Sequence, residues 1–251
     1  MPASGLLIWS PLLAAPFVGG WLAIAIAQQC AHGSFAAFSC AACGARIRLA
    51  DFVPLPRCST ARARCRHCPG ARRWFQPTIA LAASAVAGWS IMAAHTPQST
   101  WVNCALGWTL LTLAWIDAYC FILPDVLTLP LVLAGLGVTL ATVPDTAFWH
   151  ALGAAVGYLA LRGISLTYRA LRQREGLGGG DAKLFSAAGA WLGVAALPPL
   201  IMIAAVTALA YACIAAVYGR SMRATTAVPF GPFLAAAFWL LWLYGPAWNL
   251  T

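Results

Sequence analysis

The scarcity of charged residues most constrains what this chain can fold into. Only 8% of its 251 residues are Asp, Glu, Lys or Arg, whereas 62% are hydrophobic. Soluble globular proteins carry about 25% charged residues, so a water-soluble fold of this length would lack polar surface. The apolar residues also form long runs, and a run of roughly 20 residues can cross a bilayer as a helix. The sequence therefore predicts an all-α fold, a polytopic membrane helical bundle.

Eight apolar segments are candidates for transmembrane helices. They are Leu6–Ala27, Pro77–Ala94, Trp101–Ile116, Val126–Val143, Phe148–Thr167, Leu184–Leu197, Pro198–Val217 and Pro229–Tyr244. The break at Ala196–Pro199 could instead be a kink within one long helix, which would leave seven spans. We expect the first segment to be a retained helix rather than a cleaved signal peptide, because it lacks a basic region before it.

The basic residues predict the orientation of these helices. All fifteen Lys and Arg lie in three blocks, which fall within segments 28–76, 162–183 and 218–228. Short loops rich in Lys and Arg remain cytoplasmic, so this pattern places both termini on the outer side of the membrane. The net charge of +9 does not indicate nucleic-acid binding, because no soluble domain with interleaved aromatic residues accompanies it.

Two of the six acidic residues stand out by their position. Asp117 directly follows the third apolar segment and Asp181 precedes the sixth, so both are expected at the cytoplasmic border of the bundle. A carboxylate there is costly and is a candidate for function. Two neighbouring carboxylates can share a proton, so that one activates water while the other polarises a carbonyl group. Helix capping, pairing with arginine and a cation relay remain alternatives.

Four further residues are expected near the substrate rather than in catalytic roles. Gly178 and Gly180 belong to a run of three glycines before Asp181, where missing side chains would let a peptide backbone approach. Lys183 follows two residues later. Asp125 precedes Val126 and suits an N-terminal cap of the next helix, where its carboxylate would meet the positive helix end.

The most basic loop contains two CxxC pairs. Cys40 and Cys43 form the first pair, and Cys65 and Cys68 form the second. Two such pairs at this separation predict a tetrahedral zinc site of four thiolates. All four ligand positions would be filled by cysteine, so the metal is expected to be structural. Reactive redox pairs and unligated thiols remain alternatives.

Three ordered segments carry a family resemblance. Ile116-Asp117 is followed by the run Ile122–Leu131, the second segment is Gly176–Leu184, and the third is Val228–Ala235. Together with the paired CxxC loop after a first span, they resemble the type IV prepilin leader peptidases and N-methyltransferases, which are membrane aspartic proteases of the GxGD class. The resemblance covers nearly the whole chain.

The resemblance implies a function and a domain division. Asp117 and Asp181 would be the catalytic pair of a peptidase domain spanning 77–251, which would cleave the leader of type IV prepilins or type II secretion pseudopilins. Residues 1–76 would form the methyltransferase-like region, using S-adenosylmethionine, but they depart from the family pattern. The protein would be multi-pass in the bacterial inner membrane, with periplasmic termini and a cytoplasmic zinc loop.

Two other functions remain open from the sequence. A proton- or metal-coupled transporter could use the same aspartates. Such proteins favour acidic residues near the bilayer midplane and internal repeats, and neither is evident in this sequence. A membrane scaffold whose zinc loop docks a component of a secretion machine is the other alternative.

Overall fold

The computed structural model describes residues 3–32, 75–94, 96–172, 178–218 and 229–245. These residues form eight α-helices and no strand, which confirms the all-α prediction for this part of the chain. The helices are α1 (Ala3–His32), α2 (Phe75–Ala93), α3 (Pro97–Cys120), α4 (Asp125–Thr142), α5 (Ala147–Arg172), α6 (Gly179–Leu192), α7 (Leu197–Val217) and α8 (Gly231–Tyr244). The four predicted zinc ligands lie outside the described residues.

The break between the sixth and seventh helices is complete. Gly193 ends α6 with a φ of +80°, a backbone conformation that side-chain-bearing residues rarely adopt. A short 3₁₀ turn, Val194–Ala196, follows before α7 begins. Two separate helices are therefore present, and they separate a few residues earlier than the prolines suggested, because the glycine ends α6.

The chain divides into two compact units, Met1–Thr112 and Leu113–Thr251. In the first unit, α1 and α2 pack closely through Gly19, where a Cβ atom would lie 2.5 Å from the Cα atom of Ala80. Trp108, on the first part of α3, donates a 3.0 Å hydrogen bond from Nε1 to the carbonyl oxygen of Ala83. The predicted domain boundary between residues 76 and 77 stays a prediction.

In the second unit, α6 is the most enclosed helix, with a run of buried residues from Leu184 almost to its end. It meets α5 at two glycines: a Cβ atom on Gly189 would lie 2.2 Å from the carbonyl oxygen of Gly153. Small residues at such crossings let two backbones approach. On its other side, Trp191 donates a 2.8 Å hydrogen bond from Nε1 to the carbonyl oxygen of Leu131 on α4.

Two helical segments among the described residues are long and apolar enough to cross a membrane. They are Asp125–Thr142 and Val194–Val217, and most of each segment is not buried within the protein. This finding rests on length and composition. That all eight helices span a bilayer stays a prediction.

Candidate active site

Asp117 lies in the last turn of α3, and its carboxylate is held by the start of α8. The residue is only 6% exposed. The main-chain N–H of Gly231, the first residue of α8, donates a 2.9 Å hydrogen bond to Asp117 Oδ2. Because the first N–H groups of a helix have no partner within the helix, they suit a carboxylate. The start of α8 therefore fixes the orientation of Asp117.

Gly231 is a site residue that was not singled out from the sequence. A Cβ atom at this position would lie 2.6 Å from Asp117 Oδ2 and 2.8 Å from its Cγ atom. Any side chain here would displace the carboxylate. The available signal was the segment Pro229–Pro232, in which a glycine stands between two prolines at the start of an apolar helix.

Asp181 lies in the first turn of α6 and is also 6% exposed. Its Oδ1 atom is buried and has no hydrogen-bond partner in the part of the chain that the structure describes. The carboxylate of Asp117 is near enough to act on Asp181 electrostatically. The structure therefore brings together the two aspartates that the sequence predicted as a pair.

The two carboxyl groups have different electrostatic surroundings. Both follow or precede a predicted span rather than lying within it. Burial raises the pKa of Asp117, while the hydrogen bond from Gly231 lowers it. Burial also raises the pKa of Asp181, and the neighbouring Asp117 raises it further, against a backbone hydrogen bond from Gly178. These influences favour a proton on Asp181 more than on Asp117.

The predicted glycines serve the site by leaving room for specific neighbours. A Cβ atom on Gly178 would lie 3.3 Å from Asp181 Oδ2, so a side chain there would crowd the carboxylate. A Cβ atom on Gly180 would lie 2.6 Å from the Cβ atom of Leu123. The close approach at Gly180 is thus made by Leu123 of the protein itself. Leu123 belongs to residues 121–124, which join α3 to α4 and which we call the connector.

The prediction that Asp125 caps α4 is wrong in the cap position, although the residue does lie in the first turn of that helix, as expected. Pro124 occupies the N-cap position, and Asp125 is the first residue of the helix, with no side-chain capping hydrogen bond from the N-cap residue. The reason is that Pro124 already has the extended backbone of a cap residue, with φ −72° and ψ 134°. The carboxylate of Asp125 instead forms an ion pair with Lys183 of α6.

Comparison with known proteins places these residues in a family. The model of the type IV leader peptidase family matches residues 104–213, which include Asp117 and Asp181. A prepilin leader peptidase/N-methyltransferase of Dichelobacter nodosus is 34% identical over 206 residues, covering 82% of this chain and 70% of that protein. The chain belongs to the type IV leader peptidase family. The family resemblance predicted from the sequence is confirmed.

Other relatives carry the same name. A prepilin leader peptidase/N-methyltransferase of Burkholderia pseudomallei (strain 1026b) is 41% identical over 201 residues, which is 79% of this chain. One from Dickeya chrysanthemi is 38% identical over 204 residues. The chain spans 64% of the length of the Burkholderia relative and 70% of the Dickeya relative. No solved structure gives a significant match.

The matched range of the family model includes most residues of the candidate site but not Gly231. Asp117, Asp125, Asp181 and Lys183 all fall within residues 104–213. Gly231 lies beyond that range, on α8, yet it contacts the carboxylate of Asp117 directly. In this member of the family, α8 is therefore part of the candidate active site.

Proposed function

We propose that this chain is a membrane aspartic endopeptidase that removes the leader peptide of type IV prepilins or type II secretion pseudopilins. The observation that carries the proposal is the buried pair Asp117 and Asp181 within the region that matches the type IV leader peptidase family. Relatives named for prepilin leader cleavage support the substrate class. The family assignment gives no support to the transporter alternative.

Asp117 acts as the general base in this proposal. Burial raises the pKa of Asp117 and the hydrogen bond from Gly231 lowers it, whereas the pKa of Asp181 is raised further by the charge of Asp117, so Asp117 ionises first. An ionised carboxylate takes a proton from water as the oxygen attacks the carbonyl carbon of the scissile peptide bond. The hydrogen bond to Oδ2 leaves the other oxygen atom for this proton.

Asp181 acts as the general acid. Its buried Oδ1 atom has no hydrogen-bond partner among the described residues, and burial together with Asp117 favours its protonated form. A protonated carboxyl group donates a hydrogen bond to the carbonyl oxygen of the substrate and stabilises the charge that develops there. Addition of water across the peptide bond then releases the leader with a new carboxylate and the mature protein with a new amine.

The membrane location is inferred from exposed apolar helices. On α7, Val206 is 60% exposed, Leu209 is 65% exposed and Val217 is 84% exposed. Apolar surface of this extent is unfavourable in water and is typical of contact with lipid. We therefore place the chain in the bacterial inner membrane with its aspartates at the cytoplasmic border, as the basic loops predict. A substrate with an apolar helix next to its leader could reach the pair from the bilayer.

The zinc site and the methylation step are separate parts of the proposal. Cys40, Cys43, Cys65 and Cys68 would hold zinc as a structural ion in the loop, and they lie outside the described residues. N-methylation of the new N-terminus with S-adenosylmethionine is suggested by the names of the relatives. The departures from the family pattern in residues 1–76 make cleavage the better supported activity.

The test is a processing reaction with the full chain in membranes. A prepilin carrying its leader is incubated with these membranes, and the mass of the product's N-terminal peptide is measured. Cleavage at the leader junction supports the proposal, and an intact leader contradicts it when an active relative cleaves the same substrate. A further mass increase of one methyl group would show that the chain also methylates.

A further inference from the structure

We propose that Asp125 and Lys183 are positioning residues that clamp the connector to the start of α6 and so set the geometry between Asp117 and Asp181. The inference deepens the proposed function and rests on it for its catalytic consequence. The clamp itself is a structural claim that can be measured without any substrate. Neither residue is assigned a role in proton transfer.

The connector, residues 121–124, follows Asp117 closely in the chain. A contact that fixes the connector therefore also restricts Asp117. Only three residues separate Asp117 from Phe121, and the N–H of Phe121 donates a 2.9 Å hydrogen bond to the carbonyl oxygen of Asp117. Phe121 has a φ of +55°, a left-handed conformation that is costly for a bulky side chain. A connector this short and constrained leaves Asp117 little freedom to move independently of it.

Two contacts join this region to α6, and they flank Asp181. Leu123 packs against Gly180, the residue before Asp181. Asp125, the first residue of α4, forms an ion pair with Lys183, two residues after Asp181. The contacts therefore hold the first turn of α6 from both sides of the aspartate. They link the local positions of Asp117 and Asp181, and no hydrogen bond among the described residues joins the two carboxylates directly.

Because the ion pair between Asp125 and Lys183 is exposed to solvent, its effect on the geometry of the site can be distinguished from its effect on folding stability. The side chain of Lys183 is 29% exposed and that of Asp125 is 56% exposed. Ion pairs with this much solvent contact contribute little to folding, so their removal should leave the folded protein intact. A displacement of about 1 Å between reacting groups can nevertheless reduce a rate by about a hundredfold. The clamp should therefore affect turnover more than it affects unfolding.

The kinetic test uses four test variants and one control variant of the full chain, in membranes with a leader-bearing prepilin. We expect Asp125→Asn and Lys183→Met each to lower kcat by about tenfold with KM unchanged. The double variant should also lose about tenfold, because both substitutions break the same contact. Lys183→Arg keeps the charge and should remain within about threefold of the wild type. Asp145→Asn removes an exposed aspartate in the 3₁₀ turn before α5 and serves as the matched control.

A second measurement tests the clamp without catalysis. Amide hydrogen exchange in residues 121–123 should be faster in Asp125→Asn than in Asp145→Asn, because the connector opens more often. Unchanged exchange would overturn the clamp. Faster exchange with unchanged kcat, or losses that multiply in the double variant, would overturn the positioning role. If the wild type fails to cleave any prepilin, the proposed function fails, while hydrogen exchange still decides whether the clamp exists.

Discussion

The main-chain N–H of Gly231 donates a 2.9 Å hydrogen bond to Asp117 Oδ2, although 114 positions of sequence separate the two residues. This bond joins the start of α8 to the end of α3 at the candidate active site. The two aspartates differ in their surroundings, because Asp181 has a backbone hydrogen bond from Gly178 but its pKa is also raised by the neighbouring charge of Asp117. The proposed division between base and acid follows from that difference.

Substitution of Gly231 by alanine should disable the site. The new Cβ atom would lie 2.6 Å from Asp117 Oδ2, so the carboxylate must move. We expect Gly231→Ala to lower the rate of prepilin cleavage by about a hundredfold with a melting temperature close to that of the wild type. Gly137→Ala is the control, since a Cβ atom at Gly137 meets no atom within 4 Å. Equal rates for the two variants would contradict this account of Gly231.

The pH dependence of cleavage should be bell-shaped. At low pH the rate falls because Asp117, the base, becomes protonated. At high pH it falls because Asp181, whose pKa is raised by burial and by Asp117, loses the proton that it must donate. The same shift in Asp181 stabilises the folded state at low pH, and this contribution is lost as the pH rises through the raised pKa. The check is kcat/KM measured across the pH range. A rate that keeps rising into alkaline solution would show that no protonated carboxyl group is required.

The crossing of α5 and α6 predicts a loss of stability when Gly189 is substituted. A Cβ atom on Gly189 would lie 2.2 Å from the carbonyl oxygen of Gly153, and the backbones would have to separate. We expect Gly189→Ala to lower the free energy of unfolding by about 1–3 kcal/mol, as overpacking does. Thermal unfolding in detergent measures the effect. Gly163→Ala on α5 is the control, because its Cβ atom would meet open space. Equal melting temperatures would show that the crossing tolerates a methyl group.

If the two CxxC pairs bind zinc, replacing a cysteine of either pair should lower the zinc content of the protein. Cys40→Ser and Cys65→Ser should each lower the amount of zinc bound per protein, because a thiolate ligand is lost from a four-coordinate site. Cys213→Ser is the control, since Cys213 is an exposed free cysteine on α7. Metal analysis of the purified proteins gives the ratio. An unchanged ratio in the loop variants would rule out the tetrathiolate site.

Much of the fold followed from the sequence because charge is scarce in this chain. Long apolar runs have few ways to satisfy their backbone groups other than as helices, and the predicted segments correspond to the eight helices of the described residues. The first and last residues of the helices were less predictable. The helix α6 begins at Gly179 rather than Leu184 and ends at Leu192, because Gly193, not the following prolines, terminates it.

The pair of aspartates could be predicted from the sequence, but the contacts that hold the aspartates in place could not. The sequence singled out Asp117 and Asp181 because they adjoin two different predicted spans at the cytoplasmic border, where a carboxylate is costly. The bond from Gly231 and the pairing of Asp125 with Lys183 depend on which helices meet in three dimensions. Sequence order carries no such information when the partners are 114 or 58 residues apart. Local rules therefore suggested a helix cap for Asp125, whereas packing gave it a partner on α6.

The central claim is that Asp117 and Asp181 act together in cleavage, and isosteric substitution tests it most directly. Asp117→Asn and Asp181→Asn keep the shape of each side chain while removing its acid–base function. In membranes with equal amounts of protein, each variant should cleave a leader-bearing prepilin about 10²–10⁴-fold more slowly than the wild type, while Asp145→Asn cleaves normally. Leader cleavage near the wild-type rate in either catalytic variant would contradict the paired-carboxylate mechanism.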